Sequence, residues 1–251
     1  MCPGGAGIST LSVVIPVYNE RDTWQEVLRR VESADTAGLS REIVLVDDAS
    51  TDGTREQLAE FTRLHAGGEA ATNVGGAAAY KVLFHETNRG KGAAVRTGFS
   101  AATGDVVIVQ DADLEYDPRD YAQLLEPIVS GRADVVYGSR LREGRPAGMS
   151  RQSYLANRFL TWLSNLSTRL DVSDMETCYK VVRTEMLRRI ELCEDRFGFE
   201  PELTAKLAAA GARVQEVPIR YAGRGRAEGK KIGFADGLRA IWCILRYRQR
   251  H

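Results

Sequence analysis

The fold of this chain is indicated most clearly by the stretch Val106-Val-Ile-Val-Gln-Asp-Ala-Asp113. Its four consecutive β-branched residues predict a strand, Val106–Gln110, that is buried on both faces of a parallel sheet. Asp111 and Asp113 follow at once, so both carboxylates come just beyond the carboxyl end of the strand. Because ligands of open α/β sheets bind at that end, the stretch predicts a binding site there.

Similar short apolar runs alternate with segments of helical periodicity on both sides of this stretch. This alternation predicts an α/β fold with a Rossmann-like, mostly parallel central sheet flanked by helices. The further predicted strands are Leu11–Val17, Ile43–Asp47, Lys81–His85 and Val135–Gly138. The predicted helices are Arg21–Ser33, Thr54–Leu64, Lys91–Ser100, Tyr121–Val129 and Ser153–Leu170. The small, glycine-rich segment Ala66–Ala79 interrupts the pattern and predicts a mobile surface loop.

The composition is that of an ordinary globular protein. Of the 251 residues, 43% are hydrophobic and 27% are charged, which excludes a disordered or fibrous chain. The 34 basic residues balance 34 acidic ones, so we expect no nucleic-acid partner. The cysteines are scattered and predict reduced thiols, and the sequence shows neither a signal peptide nor an apolar stretch of bilayer length. We therefore expect a cytoplasmic protein, at most peripheral at the inner face of the membrane.

The carboxylates of Asp111 and Asp113 alternate with Ala112, so both can converge on one cation. Ligand sets made only of oxygen suit Mg²⁺ or Mn²⁺, which usually keep positions open for substrate phosphates. Glu115 lies two residues further on and could complete the ligand shell. A D-x-D motif also occurs by chance in solvated turns, but its place after a buried strand favours a metal site.

A second acidic cluster, Asp47-Asp48-Ala-Ser-Thr-Asp52-Gly-Thr54, follows another predicted strand. Asp52-Gly-Thr is typical of a strand-to-helix turn, in which Gly53 supplies an unusual backbone angle. The Asp47-Asp48 pair needs another explanation. A carboxylate at this edge can accept a hydrogen bond from the N–H of a uracil or guanine base, so we interpret the pair as a nucleotide ligand.

A third motif, Asn88-Arg-Gly-Lys-Gly-Ala-Ala-Val-Arg-Thr-Gly98, opens a predicted helix. Gly90 and Gly92 are expected to let the backbone approach a ligand, and the helix N-terminus favours an anion. We include Lys91, between them, among the candidate nucleotide-sugar ligands. The motif is neither a Walker loop nor a dinucleotide-binding fingerprint, which weakens the kinase and NAD hypotheses.

Together with Val14-Ile-Pro-Val-Tyr-Asn-Glu20, these motifs resemble the family-two glycosyltransferases of GT-A fold. Further motifs are similar to the polyprenyl (dolichyl) phosphate mannose/glucose synthase branch, and the similarity runs from about residue 12 to residue 247. These motifs are Gly138-Ser-Arg140, Asp174-Met-Glu-Thr-Cys-Tyr-Lys180, Phe197-Gly-Phe-Glu-Pro-Glu202, Val217-Pro-Ile-Arg-Tyr221 and Gly229-Lys-Lys231.

The resemblance implies a role for each matching residue. Catalysis would depend on Asp111, Asp113, Arg140 and Asp174. The divalent cation would be bound by Asp111, Asp113 and Glu115, and the acceptor phosphate by Arg140 and Arg151. The nucleotide sugar would contact Pro16, Tyr18, Glu20, Asp47 or Asp48, Lys91, Gln110, Ala112, Arg224 and Lys231.

The resemblance also implies a reaction: metal-dependent, inverting transfer of a hexose from a GDP-mannose or UDP-glucose type of donor to a polyprenyl phosphate. An ionised phosphate attacks without a general base. Two alternatives stay open, a soluble glycan or metabolite hydroxyl as acceptor, and a sugar-nucleotidyltransferase. A hydroxyl acceptor would need a carboxylate, for which Asp174 and Glu176 are available. Asp174 is equally explained as a helix cap or an ion-pair partner, and Cys178 as a small buried residue.

The domain boundaries follow from these assignments. Residues 1–10 are expected to be a flexible N-terminus, and residues 11–233 a GT-A domain with a nucleotide-binding half (11–115) and an acceptor half (116–233). Residues 234–251 predict a basic amphipathic helix, which either docks on the core or lies on an anionic membrane. We interpret the apolar stripe of the predicted helix Ser153–Leu170 as core packing rather than a lipid-facing surface.

Overall fold

The computed structural model describes residues 7–65, 78–223 and 234–248. Within these ranges seven strands form one sheet in the order β3-β2-β1-β4-β6-β5-β7, in which only β6 runs antiparallel to its neighbours. The strands are β1 Thr10–Val17, β2 Ser40–Asp47, β3 Ala79–Phe84, β4 Val106–Val109, β5 Val135–Ser139, β6 Lys180–Arg183 and β7 Val214–Pro218.

Helices flank the sheet, as the alternating pattern predicts. A short 3₁₀ turn, Pro118–Asp120, leads into one of them. The helices are α1 Trp24–Ser33, α2 Thr54–His65, α3 Lys91–Ala101, α4 Tyr121–Val129, α5 Arg151–Thr168, α6 Thr184–Leu187, α7 Phe199–Ala209 and α8 Phe234–Arg246.

Strand β1 lies inside the sheet, between β2 and β4, and supplies the middle of the core. Residues Val13–Ile15 are buried on both faces of the sheet. Helix α3 lies close against this strand because Gly98 has no side chain: a Cβ there would be 2.3 Å from a methyl carbon of Val14. Strands β1, β2 and β4 are parallel, so the residues that follow Val17, Asp47 and Val109 meet at one edge.

The predicted strands and helices are confirmed, with ends that differ by a few residues. Strands β6 and β7 and helices α6 and α7 were not predicted, because these segments are short or lack clear periodicity. Most of the predicted loop Ala66–Ala79 lies outside the described residues, but its last residue, Ala79, begins β3. The domain boundaries at residues 10, 115 and 233 stay predictions, since residues 1–6 and 224–233 lie outside the described ranges.

The prediction that the apolar stripe of α5 packs into the core is wrong for its largest side chains. The face of α5 that is buried carries Leu160 and three small polar residues. This narrow face packs against α7 and α8, and it leaves the bulkier stripe outside. The exposed stripe consists of Leu155, Phe159, Trp162 and Leu166, with exposed fractions between 51% and 67%.

Candidate active site

The Asp47-Asp48 pair is buried, and each carboxylate has protein partners. Asp48 accepts hydrogen bonds from His85 Nδ1 at 2.7 Å and from the backbone N–H groups of Arg89 and Gly90 at 2.9 and 2.7 Å. Asp47 forms an ion pair with Arg55 at 2.8 Å. Asp48 therefore holds the loop that leads into α3, and contact of either residue with a nucleotide base stays a prediction.

The turn after this pair is confirmed. Both the backbone N–H and the hydroxyl of Thr54 donate to Asp52 Oδ1, at 3.0 and 2.6 Å, and Gly53 has a φ of +100°. The same region meets the segment after β1, because the backbone N–H of Glu20 donates to Thr54 Oγ1 at 3.1 Å. The predicted donor ligands Pro16, Tyr18 and Glu20 thus lie next to the turn after β2, and all three are half-buried.

Gly90 and Gly92 let the start of α3 pack closely against the backbone of residues 194 and 195. A Cβ on Gly90 would lie 2.4 Å from the carbonyl oxygen of Asp195, and one on Gly92 would lie 2.3 Å from that of Glu194. The backbone N–H of Ala93 also donates to the Asp195 carbonyl, at 3.0 Å. Protein backbone thus occupies the place of a side chain at both glycines, and the approach of a ligand to their backbone stays a prediction.

Lys91, between the two glycines, forms an ion pair with Asp111. The distance between Nζ and Oδ1 is 2.6 Å. Burial lowers the pKa of Lys91, but the surrounding acidic groups, Asp111 foremost, together outweigh burial and raise the pKa well above its usual value. A permanent positive charge therefore stands at the N-terminus of α3, beside the first carboxylate of the D-x-D motif.

Asp113 and Glu115 lie on a tight turn after β4. Leu114 between them has a left-handed backbone (φ +65°), and Asp113 Oδ1 accepts the backbone N–H of Glu115 at 3.1 Å. The hydroxyl of Tyr221 donates to Glu115 Oε2 at 2.6 Å. Across the described residues no three acidic, histidine or cysteine side chains come together as a ready metal site. The carboxylates of Asp111 and Asp113 are the kind of oxygen ligands that Mg²⁺ and Mn²⁺ prefer, and their binding of a cation stays a prediction.

Gln110 forms hydrogen bonds that hold the backbone at Asp111. Its Oε1 accepts hydrogen bonds from the hydroxyls of Tyr121 at 2.8 Å and Tyr179 at 2.6 Å, and its Nε2 donates to the carbonyl of Asp111 at 2.9 Å. Gln110 is fully buried and its neighbour Ala112 nearly so. These contacts orient the D-x-D segment, while direct contact of Gln110 or Ala112 with a donor stays a prediction.

Arg140 follows β5 and forms an ion pair with Asp174, which is buried. Its Nε and Nη2 donate to Oδ2 and Oδ1 of Asp174 at 2.7 and 2.8 Å, and its guanidinium lies 5.3 Å from the ring centroid of Tyr221. Burial lowers the pKa of Arg140, but Asp174 raises it well above the usual value. The ion-pair explanation of Asp174 is the one found, and within the described ranges Nη1 of Arg140 has no hydrogen-bond partner.

Four further residues singled out in the sequence are Arg151, Arg224, Lys231 and Cys178. Arg151 is exposed at the first turn of α5, where Ser150 caps the helix by accepting the backbone N–H of Ser153 at 3.1 Å. Arg224 and Lys231 lie outside the described residues. Cys178 is buried, as the sequence predicts, and burial raises the pKa of its thiol well above the usual value.

Beneath the site lies a buried ion pair that sequence reasoning missed. Lys180 Nζ hydrogen-bonds to the carboxylate of Glu200 and to the carbonyl of Thr177, the latter at 2.6 Å. Burial raises the pKa of Glu200. Both charged residues belong to motifs quoted above, but nothing in their spacing indicates that they pair.

Comparison with known proteins identifies the family. The sequence profile of Glycosyl transferase family 2 matches residues 12–197. An undecaprenyl-phosphate 4-deoxy-4-formamido-L-arabinose transferase of Edwardsiella ictaluri is 34% identical over 224 residues, which are 89% of this chain and 63% of the relative. A dolichol-phosphate mannosyltransferase of Pyrococcus furiosus is 30% identical over 242 residues, covering 94% of this chain and 64% of the relative.

Solved structures support the fold. Glucosyl-3-phosphoglycerate synthase of Mycobacterium tuberculosis, crystallised with Mn²⁺, UDP and phosphoglyceric acid, superposes with a TM-score of 0.67 at 20% identity. The match covers 95% of this chain and 78% of that one. The expected GT-A fold and the resemblance drawn from the motifs are both confirmed. The chain spans a little under two thirds of the length of its curated relatives, and it belongs to glycosyl transferase family 2.

Proposed function

We propose that this chain transfers a hexose from a nucleotide sugar of the GDP-mannose or UDP-glucose type to a polyprenyl phosphate, with inversion and with a divalent cation. One observation carries the proposal: Tyr221 joins the two halves of the site. Its hydroxyl bonds to Glu115 at 2.6 Å, and its ring lies 5.3 Å from the Arg140 guanidinium. An arginine suited to an acceptor phosphate thus stands beside the carboxylates suited to a donor diphosphate.

On the donor side, Asp111 and Asp113 would hold Mg²⁺ or Mn²⁺, and Lys91 adds a fixed positive charge. The bound cation would stabilise the negative charge that develops on the departing nucleoside diphosphate. Structural neighbours crystallised with UDP and either Mn²⁺ or Mg²⁺ support this choice of ion.

On the acceptor side, Arg140 suits a phosphate, and Asp174 is not available as the base that a hydroxyl acceptor would need. Asp174 is fully buried and both of its oxygens bind Arg140, so it is committed to orienting the arginine and unsuited to removing a proton. A phosphate, already ionised at neutral pH, needs no such base. The planar guanidinium of Arg140 is well suited to binding it. The two relatives named above, an undecaprenyl-phosphate transferase and a dolichol-phosphate transferase, support the same acceptor.

A lipid acceptor must be met at a membrane, and helices α5 and α8 offer a surface for this. The described residues include no helix long and apolar enough to cross a bilayer. Like α5, helix α8 carries large exposed apolar side chains. They are Leu238, Trp242 and Leu245, which are 41–56% exposed. Arg239 and Arg246 stack on Trp242 at 4.1 and 4.9 Å. Aromatic side chains bordered by arginine suit peripheral contact with an anionic lipid surface.

The proposal is tested by incubating the purified protein and Mn²⁺ with UDP- and GDP-sugars, with and without a short-chain polyprenyl phosphate. We expect lipid-linked sugar and nucleoside diphosphate in equal amounts. Nucleoside diphosphate without lipid product, accompanied by transfer to an added glycan, would identify a soluble acceptor instead. Formation of a nucleotide sugar from a sugar phosphate and a nucleoside triphosphate would identify a nucleotidyltransferase.

A further inference from the structure

The segment that links the two halves of the site carries an acidic side chain with no assigned role. At one end of this segment Asp174 holds Arg140. At the other end Cys178 lies beneath the D-x-D motif, with its Sγ 3.6 Å from the carbonyl oxygen of Val109. Along the chain Glu176 lies midway between them, and its charge interacts with those of Arg140 and Asp174.

One oxygen of Glu176 is buried and has no partner. Oε1 is one of two side-chain atoms in the described residues that are buried without a hydrogen bond, and the other, Arg41 Nε, lies outside the site. The residue as a whole keeps partial exposure. Buried polar atoms are nearly always hydrogen-bonded, so an orphaned oxygen calls for an explanation, and a bound ligand supplies one.

The charged groups around Glu176 leave it uncompensated. Glu200 and Asp174 repel its negative form, whereas Lys180 and Arg140 attract it. Both cations are already engaged, Lys180 with Glu200 and Arg140 with Asp174. Burial first, and then Glu200, raise the pKa of Glu176 to about 7. Near neutral pH a large share of Glu176 is therefore protonated and can both donate and accept a hydrogen bond.

We propose that Glu176 binds a hydroxyl of the donor's hexose and thereby contributes to the choice of sugar. The assignment rests on the function proposed above. In that reaction the hexose must lie between the departing diphosphate, at Asp111 and Asp113, and the attacking phosphate, at Arg140. Glu176 lies close enough to Arg140 and Asp174 for their charges to act on it, which puts it near the acceptor end of this interval. A carboxyl group repels phosphates but suits hydroxyl groups. The sugar hydroxyl would supply the missing partner of Oε1.

The test compares nucleotide sugars with the matching nucleoside diphosphates. Binding of UDP-glucose, UDP, GDP-mannose and GDP is measured calorimetrically with Mn²⁺ for the wild type, E176Q and E176L. With E176L we expect about a tenfold loss of affinity for the sugar-bearing ligand and an unchanged affinity for the diphosphate, the range for one lost hydrogen bond. E176Q should recover most of the loss, because an amide also donates and accepts. E126L, on the exposed surface of α4, is the matched control.

Monodeoxy donors identify the hydroxyl. One deoxy analogue should bind the wild type about tenfold more weakly than the parent sugar, and E176L should not distinguish the two. An equal loss for nucleotide sugar and diphosphate, with an unchanged thermal midpoint, would overturn the assignment in favour of a structural role. A wild type that binds the diphosphates but neither nucleotide sugar would overturn the proposed function, and with it this assignment. If E176L loses affinity for the nucleotide sugar but the wild type forms no lipid-linked sugar, the assignment of Glu176 stands. Only polyprenyl phosphate as the acceptor is then rejected.

Discussion

Two hydrogen bonds join the Arg140 guanidinium to the Asp174 carboxylate, from Nε to Oδ2 at 2.7 Å and from Nη2 to Oδ1 at 2.8 Å. Asp174 is fully buried and the Arg140 side chain is 9% exposed. Ser173 and Asp174 are held in turn by Glu216, which accepts both of their backbone N–H groups. The pair is thus a rigid unit, in which the carboxylate fixes the direction of the guanidinium.

Arg140→Lys should weaken the acceptor selectively. Lysine keeps the charge beside Asp174 but loses the planar fork, so the KM for polyprenyl phosphate should rise about tenfold or more. The KM for the nucleotide sugar should stay within about twofold of the wild type, because the donor phosphates are bound elsewhere. Steady-state kinetics with each substrate varied in turn measures both values. Equal increases for donor and acceptor would contradict the acceptor role. Arg140→Ala is less informative, because leaving Asp174 buried and unpaired costs about 3–5 kcal/mol.

Asp113→Ala should abolish turnover with little loss of stability, because the side chain is half-buried at the surface of the cleft. Removing one of two carboxylate ligands should also eliminate the tightening of nucleoside diphosphate binding by Mn²⁺. Calorimetry with and without the ion measures this effect, and Asp171→Ala, at an exposed position outside the site, is the control. Retained turnover in the Asp113 variant would exclude the metal assignment.

Replacing the exposed stripe should release the protein from anionic lipid. A Phe159→Ser/Trp162→Ser variant and a Trp242→Ser variant should each bind phosphatidylglycerol vesicles at least about fivefold more weakly. Each variant removes apolar area that the lipid would bury. The control is Leu64→Ser on α2, where an equally exposed leucine (69%) lies on another helix. Co-sedimentation measures binding, and added salt should weaken it. Identical binding of the control and the stripe variants would argue against this surface.

The raised pKa of Glu176 predicts a pH-dependent cost in stability. Below about pH 4.5 the carboxyl is protonated in both the folded and the unfolded state, so it has no effect. As pH rises from 4.5 to about 7, the unfolded chain ionises first, and the folded protein loses stability. Well above pH 7 the loss is complete, at about 3 kcal/mol.

Glu176→Gln removes this cost, because the amide does not ionise. Urea unfolding should therefore show the variant more stable than the wild type at pH 8, with a much smaller difference at pH 5. A difference of the same size at both pH values would mean that Glu176 has an ordinary pKa in the folded protein.

Gly92→Ala should destabilise the fold and displace Lys91. The added carbon would meet the Glu194 carbonyl at 2.3 Å, and backbone on both sides must shift to relieve the contact. We expect a loss of about 1–3 kcal/mol in the free energy of unfolding, the usual cost of overpacking, together with lower turnover. Gly237→Ala on α8 is the matched control: the position is open, and alanine there should add about 0.5–1 kcal/mol. Equal stability of the two variants would contradict the packing explanation.

The elements that depend on residues close together in the chain could be predicted from the sequence. The strand Val106–Val109 is four β-branched residues long, and the turn at Gly53 needs a conformation that glycine adopts readily. Such features are encoded within a few positions, so periodicity and turn chemistry predict them. The placement of Asp111 and Asp113 at the carboxyl edge of the sheet follows from the same local pattern.

Contacts between side chains that are far apart in the sequence could be seen only in the three-dimensional structure. Strand β6 runs antiparallel between β4 and β5, and this brings Asp174 to Arg140, 34 positions away in the sequence. The same is true of Asp48 with the Gly90 backbone and of Lys180 with Glu200. The exposure of the α5 stripe also depends on what packs against the opposite face. Periodicity marks an apolar face but cannot say what covers it, because burial depends on contacts between residues far apart in the chain.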